Sequence, residues 1–385
     1  MKEWSGTIVT TSYADLDLTQ AAAYAPLDRQ LLFDIETTGF SPKNCMCYMI
    51  GYCYMQDSLW HYRILFNEDG RSEYAMILEF LSILQEYEIL IHYNGDQFDI
   101  PFLEEKIRQY LSLGLPVDQT SELSRVQSLD LYKIIKPYRQ GLMLSNLKLS
   151  TLEQSMGFTR SDAYNGGELI SVYKQYLIDH SEEAEYHLYR HNYEDILAMI
   201  PMLQLLNYTA IFSSIIDNCD IYDLPSSDNR YIAVEYPLPV TLPLPFQLQI
   251  RGVQIHYENS RGRILIPVLK AELFYYISNW KDYYYLPLED TVIHKSVAEF
   301  VDTEFKEKAK KNNCYLKKYG DFIPISPGFK NSEYVSIHNI PDTKRTEPPK
   351  FYQAAPQSKE YYLELDESLL KDSAFLNAYI QSLLT

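Results

Sequence analysis

The apolar positions in the first half of the chain fall into short continuous runs separated by polar turns, the pattern of strands buried on both faces. Leu31-Leu32-Phe33 opens a short strand. Met46 to Met55 makes a second, and Trp60 to Phe66 a third after the polar turn Gln56-Asp57-Ser58. The period then changes: Met76, Ile77, Phe80, Leu81 and Leu84 recur at helical spacing behind Ser72, a residue suited to an N-cap. Ile89 to Tyr93 predicts another strand, stopped by the turn pair Asn94-Gly95. Ile100 begins a helix with Pro101 in its first turn, where a missing N–H leaves no bond unmade. Ser150 and Glu153 have capping-box spacing at the head of a further helix, and Ser181-Glu182-Glu183 heads one that runs towards Pro201. Three consecutive strands followed by strand–helix units predict an α/β fold, a mixed sheet flanked by helices.

Past about residue 206 the texture changes. Four prolines between Tyr236 and Pro245 fit an edge strand or an extended linker. A basic loop (Arg251, Arg261, Arg263), the run Tyr283-Tyr284-Tyr285 and a lysine-rich stretch from Lys306 to Lys318 follow, with no internal repeat. The expected layout is an N-terminal extension over 1–28, the α/β domain over 29–205, and a smaller mixed α+β region of unassigned function over 206–385.

Composition narrows the function. Apolar residues form 46% of the 385, enough for a packed core. The 34 Lys+Arg against 52 Asp+Glu leave a net charge of −18, which excludes a basic protein that coats nucleic acid. Residues 1–205 carry most of that imbalance, 15 basic against 29 acidic. The five cysteines form no CxxC pair and no zinc-ligand spacing, so reduced thiols are expected. Without a signal-like apolar stretch in residues 1–30 or a membrane-length apolar run, a cytoplasmic protein with no membrane partner is expected. The 35 tyrosines fit packing, with base stacking as the alternative.

Three acidic patterns carry candidate chemistry. In Phe33-Asp34-Ile35-Glu36-Thr37-Thr38-Gly39, strand alternation puts Asp34 and Glu36 on one side. Two carboxylates at the end of an apolar strand repel and lose hydration, which a divalent cation would remedy; a solvated turn is the plainer alternative. Asp99, in Asn94-Gly95-Asp96-Gln97-Phe98-Asp99, lies at a helix N-terminus, where an N-cap role competes with a metal role. His191 and Asp195 stand at i and i+4 on one helix face, a pairing suited to metal-assisted hydrolysis or to a plain surface pair. Asp130 reads as a solvent-facing acid at a strand end, with a fifth acid near the site as the alternative; His92 reads as a satisfied core histidine, and His294 as a phosphate contact or as part of an ordinary helix start.

Together the D-x-E, the N-x(3)-F-D and the later His/Asp helix resemble the DEDD exonuclease branch of the RNase H-like superfamily, over roughly residues 29–205. Within it the chain looks most like the YprB-like ribonuclease H-like proteins, with Leu129-Asp130-Leu131-Tyr132 and the segment from Leu147 to Glu153 adding support. The resemblance implies that Asp34, Glu36, Asp99 and Asp195 hold two Mg²⁺ or Mn²⁺ ions and that His191 guides the attacking water. It also implies cleavage of DNA or RNA from a 3′ end. One departure stands out: relatives place Tyr with three residues before the last Asp, or His with four, whereas here His191 has the three-residue spacing and Arg190 the four. A helix turns about 100° per residue, so the two cannot both face the metals, and the spacing favours His191.

The expected function is a metal-dependent 3′–5′ exonuclease on single-stranded DNA or RNA ends or short oligonucleotides. The alternatives are a small-oligonucleotide phosphodiesterase and a non-catalytic nucleic-acid or protein-binding module on the same fold. Thr37, Asn94, Lys306 and Lys310 are candidate substrate contacts. The lysine stretch reads either as a basic patch for a phosphate backbone or as a solvated helix face.

Overall fold

In a computed structural model describing residues 1–9, 13, 15–117, 122–161, 164, 166–211, 216, 218–225, 230–338 and 350–384, the chain divides into two compact units. The first holds Met1–Ile211 and Pro239–Pro245, and the second holds Phe212–Leu238 and Phe246–Thr385.

The first unit is built on a sheet of β1 (Lys2–Thr7), β2 (Gln30–Thr37), β3 (Cys47–Gln56), β4 (Leu59–Phe66), β5 (Ile89–His92) and β6 (Gln127–Asp130). Their spatial order is β1-β4-β3-β2-β5-β6. Pairing is antiparallel from β1 to β2 and parallel from β2 to β6, so the sheet is mixed, as its strand pattern predicts. The main helices are α1 (Glu73–Leu84), α2 (Asp99–Ser112), α3 (Leu149–Ser155), α4 (Gly166–Asp179) and α5 (Glu182–Met202).

Alternation along β2 divides its side chains between two layers. Leu31, Phe33 and Ile35 join a core with Met76, Ile77, Phe80, Leu81 and Leu84 of α1 and Phe102, Leu103 and Ile107 of α2. Burying each such side chain contributes about 1.5–3 kcal/mol. The opposite face receives α5. There the backbone of β3 must come close, since a Cβ on Gly51 would lie 1.9 Å from Asn192 Oδ1 and 3.2 Å from Ile196 Cγ2.

Several local expectations change. Lys2–Thr7, read as part of an extension, pairs with β4 as the edge strand; its alternately half-buried and exposed residues carry no apolar run to reveal it. Ser72 precedes α1 but makes no side-chain cap; its hydroxyl donates to Asp69. The Ser150/Glu153 capping box does not form. α3 begins at Leu149, Asn146 Oδ1 accepts the Lys148 N–H at 2.8 Å, and Glu153 is committed to Arg160. Asp130 is buried rather than solvent-facing, and it caps the short helix Leu131–Ile135 by accepting the Tyr132 N–H at 3.0 Å. His92, by contrast, is a satisfied core histidine: Nδ1 accepts the Gly95 N–H at 3.0 Å and Nε2 meets Ser128 Oγ at 2.8 Å.

Tyr236 and Pro237 of the proline-rich stretch end a strand, 238–245 is irregular, and 239–245 clusters with the first unit. Asn207 donates to Thr241 O at 2.8 Å, Tyr208 to Leu244 O at 2.5 Å, and the Thr241 N–H to Asp17 Oδ2 at 2.6 Å.

The second unit is largely antiparallel. Its strands are β7 (Asp220–Pro225), β8 (Arg230–Pro237), β9 (Phe246–Ile250), β10 (Val253–Glu258), β11 (Arg261–Tyr276), β12 (Tyr283–Leu286), β13 (Thr291–His294), β14 (Glu307–Lys308), β15 (Tyr315–Ile325), β16 (Phe351–Tyr352) and β17 (Tyr361–Glu364). β12, β13 and β14 form a separate small sheet beside the larger one. Tyrosines of both units lie in the interior: Tyr48, Tyr52, Tyr173, Tyr208, Tyr257 and Tyr379 are among the largest fully buried side chains, which fits the packing explanation of their abundance. Among the described residues no helix is long and apolar enough to cross a membrane.

Candidate active site

Asp34 and Glu36 project from β2 on the face opposite Phe33, towards α5. β2 and β3 slip register between Glu36 and Thr37, so Tyr48 stands as the extra residue of a bulge. The Tyr48 hydroxyl donates to Glu36 Oε2 at 3.5 Å. Asp99 opens α2 and reaches across, its Oδ1 accepting the Ile35 N–H at 3.3 Å. Phe98, not Asp99, stands at the cap position of α2, and the Asp99 carboxyl accepts its own backbone N–H as well as that of Ile35.

From α5, one turn of helix brings His191 and Asp195 to the same face. His191 Nε2 lies 3.5 Å from Glu36 Oε1 and 3.4 Å from Asp195 Oδ2. Asn192 between them is fully buried and donates to Asp34 Oδ2 at 3.2 Å. Its Oδ1 has no hydrogen-bond partner among the described residues. Arg190 points away, to Glu194 at 2.8 Å and Ser161 at 3.0 Å, while Tyr189 and Tyr193 join an aromatic group with Trp4 and Tyr62.

Three partners of the acids are not evident from local sequence: Asn192, Tyr48 and Arg160. The Arg160 guanidinium holds both oxygens of buried Glu153 and Oδ1 of Asp195. Arg160 is 35 residues from Asp195, and nothing in the short segment around it distinguishes it.

Crowding sets the electrostatics. Lost hydration pushes the Asp34 carboxyl well above the usual range, with Asp195, Asp99 and Glu36 adding to the effect and Arg160 opposing it. Burial pushes Glu36 up to about 7, despite the opposing His191. Burial also pushes Asp99 up to about 7, against the pull of the backbone donors. Carboxyls held close enough to resist ionisation suit a divalent cation, which favours oxygen donors and would cancel their repulsion. Glu36, His191 and Asp195 each offer a donor atom, all within 4.8 Å of one another.

His92, Asp96 and Asp130 form a second such group. It is poorly suited to a metal. Burial holds the His92 imidazole neutral, the Gly95 N–H occupies Nδ1, and the ring proton is therefore on Nε2. Asp96 is already bonded to Lys133 and Ser128. The group braces the 94–99 turn instead: Asp130 Oδ1 accepts the Asn94 N–H at 2.8 Å, with Asn94 at φ 63°.

The remaining candidates are placed as follows. Thr37 is buried and its hydroxyl donates to Gly39 O at 3.0 Å, within the turn. The Asn94 side chain is exposed. Lys306 and Lys310 belong to the second unit. The Lys306 ammonium binds Ala298 O and, at 2.7 Å, Val301 O, whereas Lys310 is exposed. The lysine stretch is not a helix face: it runs through β14, a turn and the start of β15. Lys317 is paired with Asp290 and Lys318 with Glu364.

Among curated proteins, a 96-residue stretch is 27% identical to DNA polymerase 1 of Aeropyrum pernix, covering 22% of this chain and 10% of that protein. Among solved structures, the family B DNA polymerase of Pyrobaculum calidifontis is 15% identical at a TM-score of 0.36, over 65% of this chain and 34% of that one. E. coli Exonuclease I in complex with a dT13 oligonucleotide is 13% identical at a TM-score of 0.32, over 60% and 55%. The chain thus spans a tenth to about half the length of these proteins. The family model described as RNase_H superfamily (RNase_H_2) matches residues 31–207, the segment that carries all four clustered acids. With its mixed sheet flanked by helices, that segment is a domain of the RNase H superfamily.

Proposed function

We propose that this domain is a metal-dependent nuclease of the YprB-like type, a 3′–5′ exonuclease acting on single-stranded DNA or RNA ends. One observation carries the reading: Asp34, Glu36, Asp99 and Asp195, drawn from three elements far apart in sequence, gather in one desolvated place where burial and mutual repulsion push the carboxyls of Asp34, Glu36 and Asp99 above their ordinary range.

The four acids would hold two Mg²⁺ or Mn²⁺ ions. When bound, such ions supply Lewis acidity to the attacking water and to the departing oxygen. The chain's own contribution is placement. Asn192 fixes one oxygen of Asp34, Tyr48 one of Glu36, the Ile35 N–H one of Asp99 and Arg160 one of Asp195. Among the described residues this leaves the other oxygen of Asp34, Glu36 and Asp195 turned to the site. The water oxygen forms a bond to phosphorus as the bond to the 3′ oxygen breaks. That oxygen leaves with a proton and a 5′-mononucleotide is released. Phe40 is 88% exposed, just past the Thr37–Gly39 turn, with its ring edge-on to Phe98 at 5.9 Å, and it offers a face on which a base can stack.

A digest of 5′-labelled DNA, RNA and dinucleotides with Mg²⁺ or Mn²⁺ tests the reading. The expected result is a ladder shortening from the 3′ end, with Asp34→Ala and Asp195→Ala slower by about a thousandfold. Equal turnover by those variants, or no cleavage of any substrate, would remove it. The acidity of residues 1–205 favours one second reading, a phosphodiesterase for short oligonucleotides, because short substrates need few phosphate contacts. Cleavage of dinucleotides alone would select it.

A further inference from the structure

We infer that His191 is a ligand of one metal ion, in place of the water-guiding role that the family resemblance implies, and that this ion is a transition metal such as Mn²⁺ in preference to Mg²⁺. The inference rests on the metal-dependent reading of the same acids.

Glu36, His191 and Asp195 each offer one donor atom, all within 4.8 Å of one another, and Glu36 Oε1 and Asp195 Oδ2 both face His191 Nε2. The imidazole nitrogen stands 3.5 Å from the first oxygen and 3.4 Å from the second. Donors about 2.1 Å from a shared ion are separated by about 3.0–3.4 Å, so both contacts to His191 already stand near coordination spacing. The two oxygens are also selected. Tyr48 occupies the other oxygen of Glu36, and Arg160, itself gripped by Glu153, occupies the other oxygen of Asp195. Outer partners of this kind orient ligands and hold them for metal. The helix supplies the rest, because residues at i and i+4 share a face and present their donors together.

The same geometry accounts for the departure in spacing. A histidine four positions before Asp195 lies directly over it on the helix, too near to leave the gap that a water between base and metal would fill. The chemistry of the donors then sets the ion. Two carboxylates alone suit Mg²⁺, while an imidazole added to them shifts the preference away from Mg²⁺ towards the transition metals, of which Mn²⁺ is the weakest binder.

The test uses the full chain stripped with EDTA and titrated with Mn²⁺, followed by electron paramagnetic resonance. Wild type is expected to show a directly coordinated ¹⁴N in the electron spin echo modulation. His191→Ala and His191→Gln, checked for intact fold by circular dichroism, should lose that coupling. They should also lose the preference for Mn²⁺ over Mg²⁺ by at least about tenfold in competition. Mn²⁺ bound without coordinated nitrogen, or an unchanged preference in both variants, would overturn the inference and leave the metal-dependent reading standing. Mn²⁺ binding no tighter than to the Glu36→Ala/Asp195→Ala double variant would overturn both.

Discussion

Asp34 sits among like charges, and its ionised form is opposed by lost water and by Asp195, Asp99 and Glu36. Removing that charge should therefore separate stability from function. Asp34→Asn is expected to raise the metal-free melting temperature at pH 8 by several degrees while abolishing nuclease turnover, as read by calorimetry and the labelled digest. The pH dependence has a definite sign. Glu36 and Asp99 titrate near 7 in the folded chain but near 4 when unfolded, so the folded state binds the extra protons between those values. That stabilisation is fully present below about pH 4 and is lost as pH rises through about 7. The EDTA-treated chain should melt lower at pH 8 than at pH 5.5, and Mn²⁺ added at pH 8 should reverse the loss. A melting temperature flat across that window would contradict the crowding described for these acids. Asp34, Glu36, Asp99 and Asp195 were legible in sequence because each interrupts an apolar strand or begins or lines a helix at a recognisable spacing. Their partners were not, because Asn192 meets Asp34 across 158 residues and Arg160 meets Asp195 across 35, contacts that only the folded chain creates.

At the scale of elements, α5 lies so close to β3 that the strand has a glycine where the helix presents Asn192. Gly51→Ala should displace Asn192, cost about 1–3 kcal/mol of stability by overpacking, and weaken Mn²⁺ binding although residue 51 touches no metal. Urea denaturation and Mn²⁺ titration check the two parts. A glycine inside an otherwise apolar strand was the signal that could have pointed to this approach. The link between α3 and the segment beyond it depends on Arg160 and Glu153. Arg160→Met leaves Glu153 buried and unpaired, a loss of about 3–5 kcal/mol, and Glu153→Gln in the same chain should recover much of it in denaturant melts. The central strands and long helices were legible because their apolar runs and helical spacing are strong local signals. The edge strand β1 was not, since half of it faces water and only pairing with β4 defines it.

Across the whole molecule, half of the lysine stretch expected to serve phosphate binding is spent on its own unit: Lys306 on two carbonyls, Lys317 on Asp290 and Lys318 on Glu364. A lysine run in sequence shows charge but not whether that charge is already paired. With Lys306 anchored in this way, Lys310→Glu is the cleaner test of phosphate contact; a flatter salt dependence of oligonucleotide binding would show it, and an unchanged slope would exclude it. The first unit runs to Ile211, and 239–245 packs with it through bonds to Asn207, Tyr208 and Asp17, contacts that no local signal in the proline-rich stretch reveals.

That returning stretch has a consequence for synthesis. A chain made from its N-terminus usually folds each unit as it emerges. Here the first unit lacks its last segment until Pro245 has been made, and the antiparallel pair β7 and β8 of the second unit is made before then. The early strands must therefore wait, nearly complete, while part of their neighbour is translated. A pause or truncation between Ile211 and Pro239 would release the first unit with Asn207 and Tyr208 lacking their acceptors in 239–245, at the point in its life when proteases and chaperones sample it most.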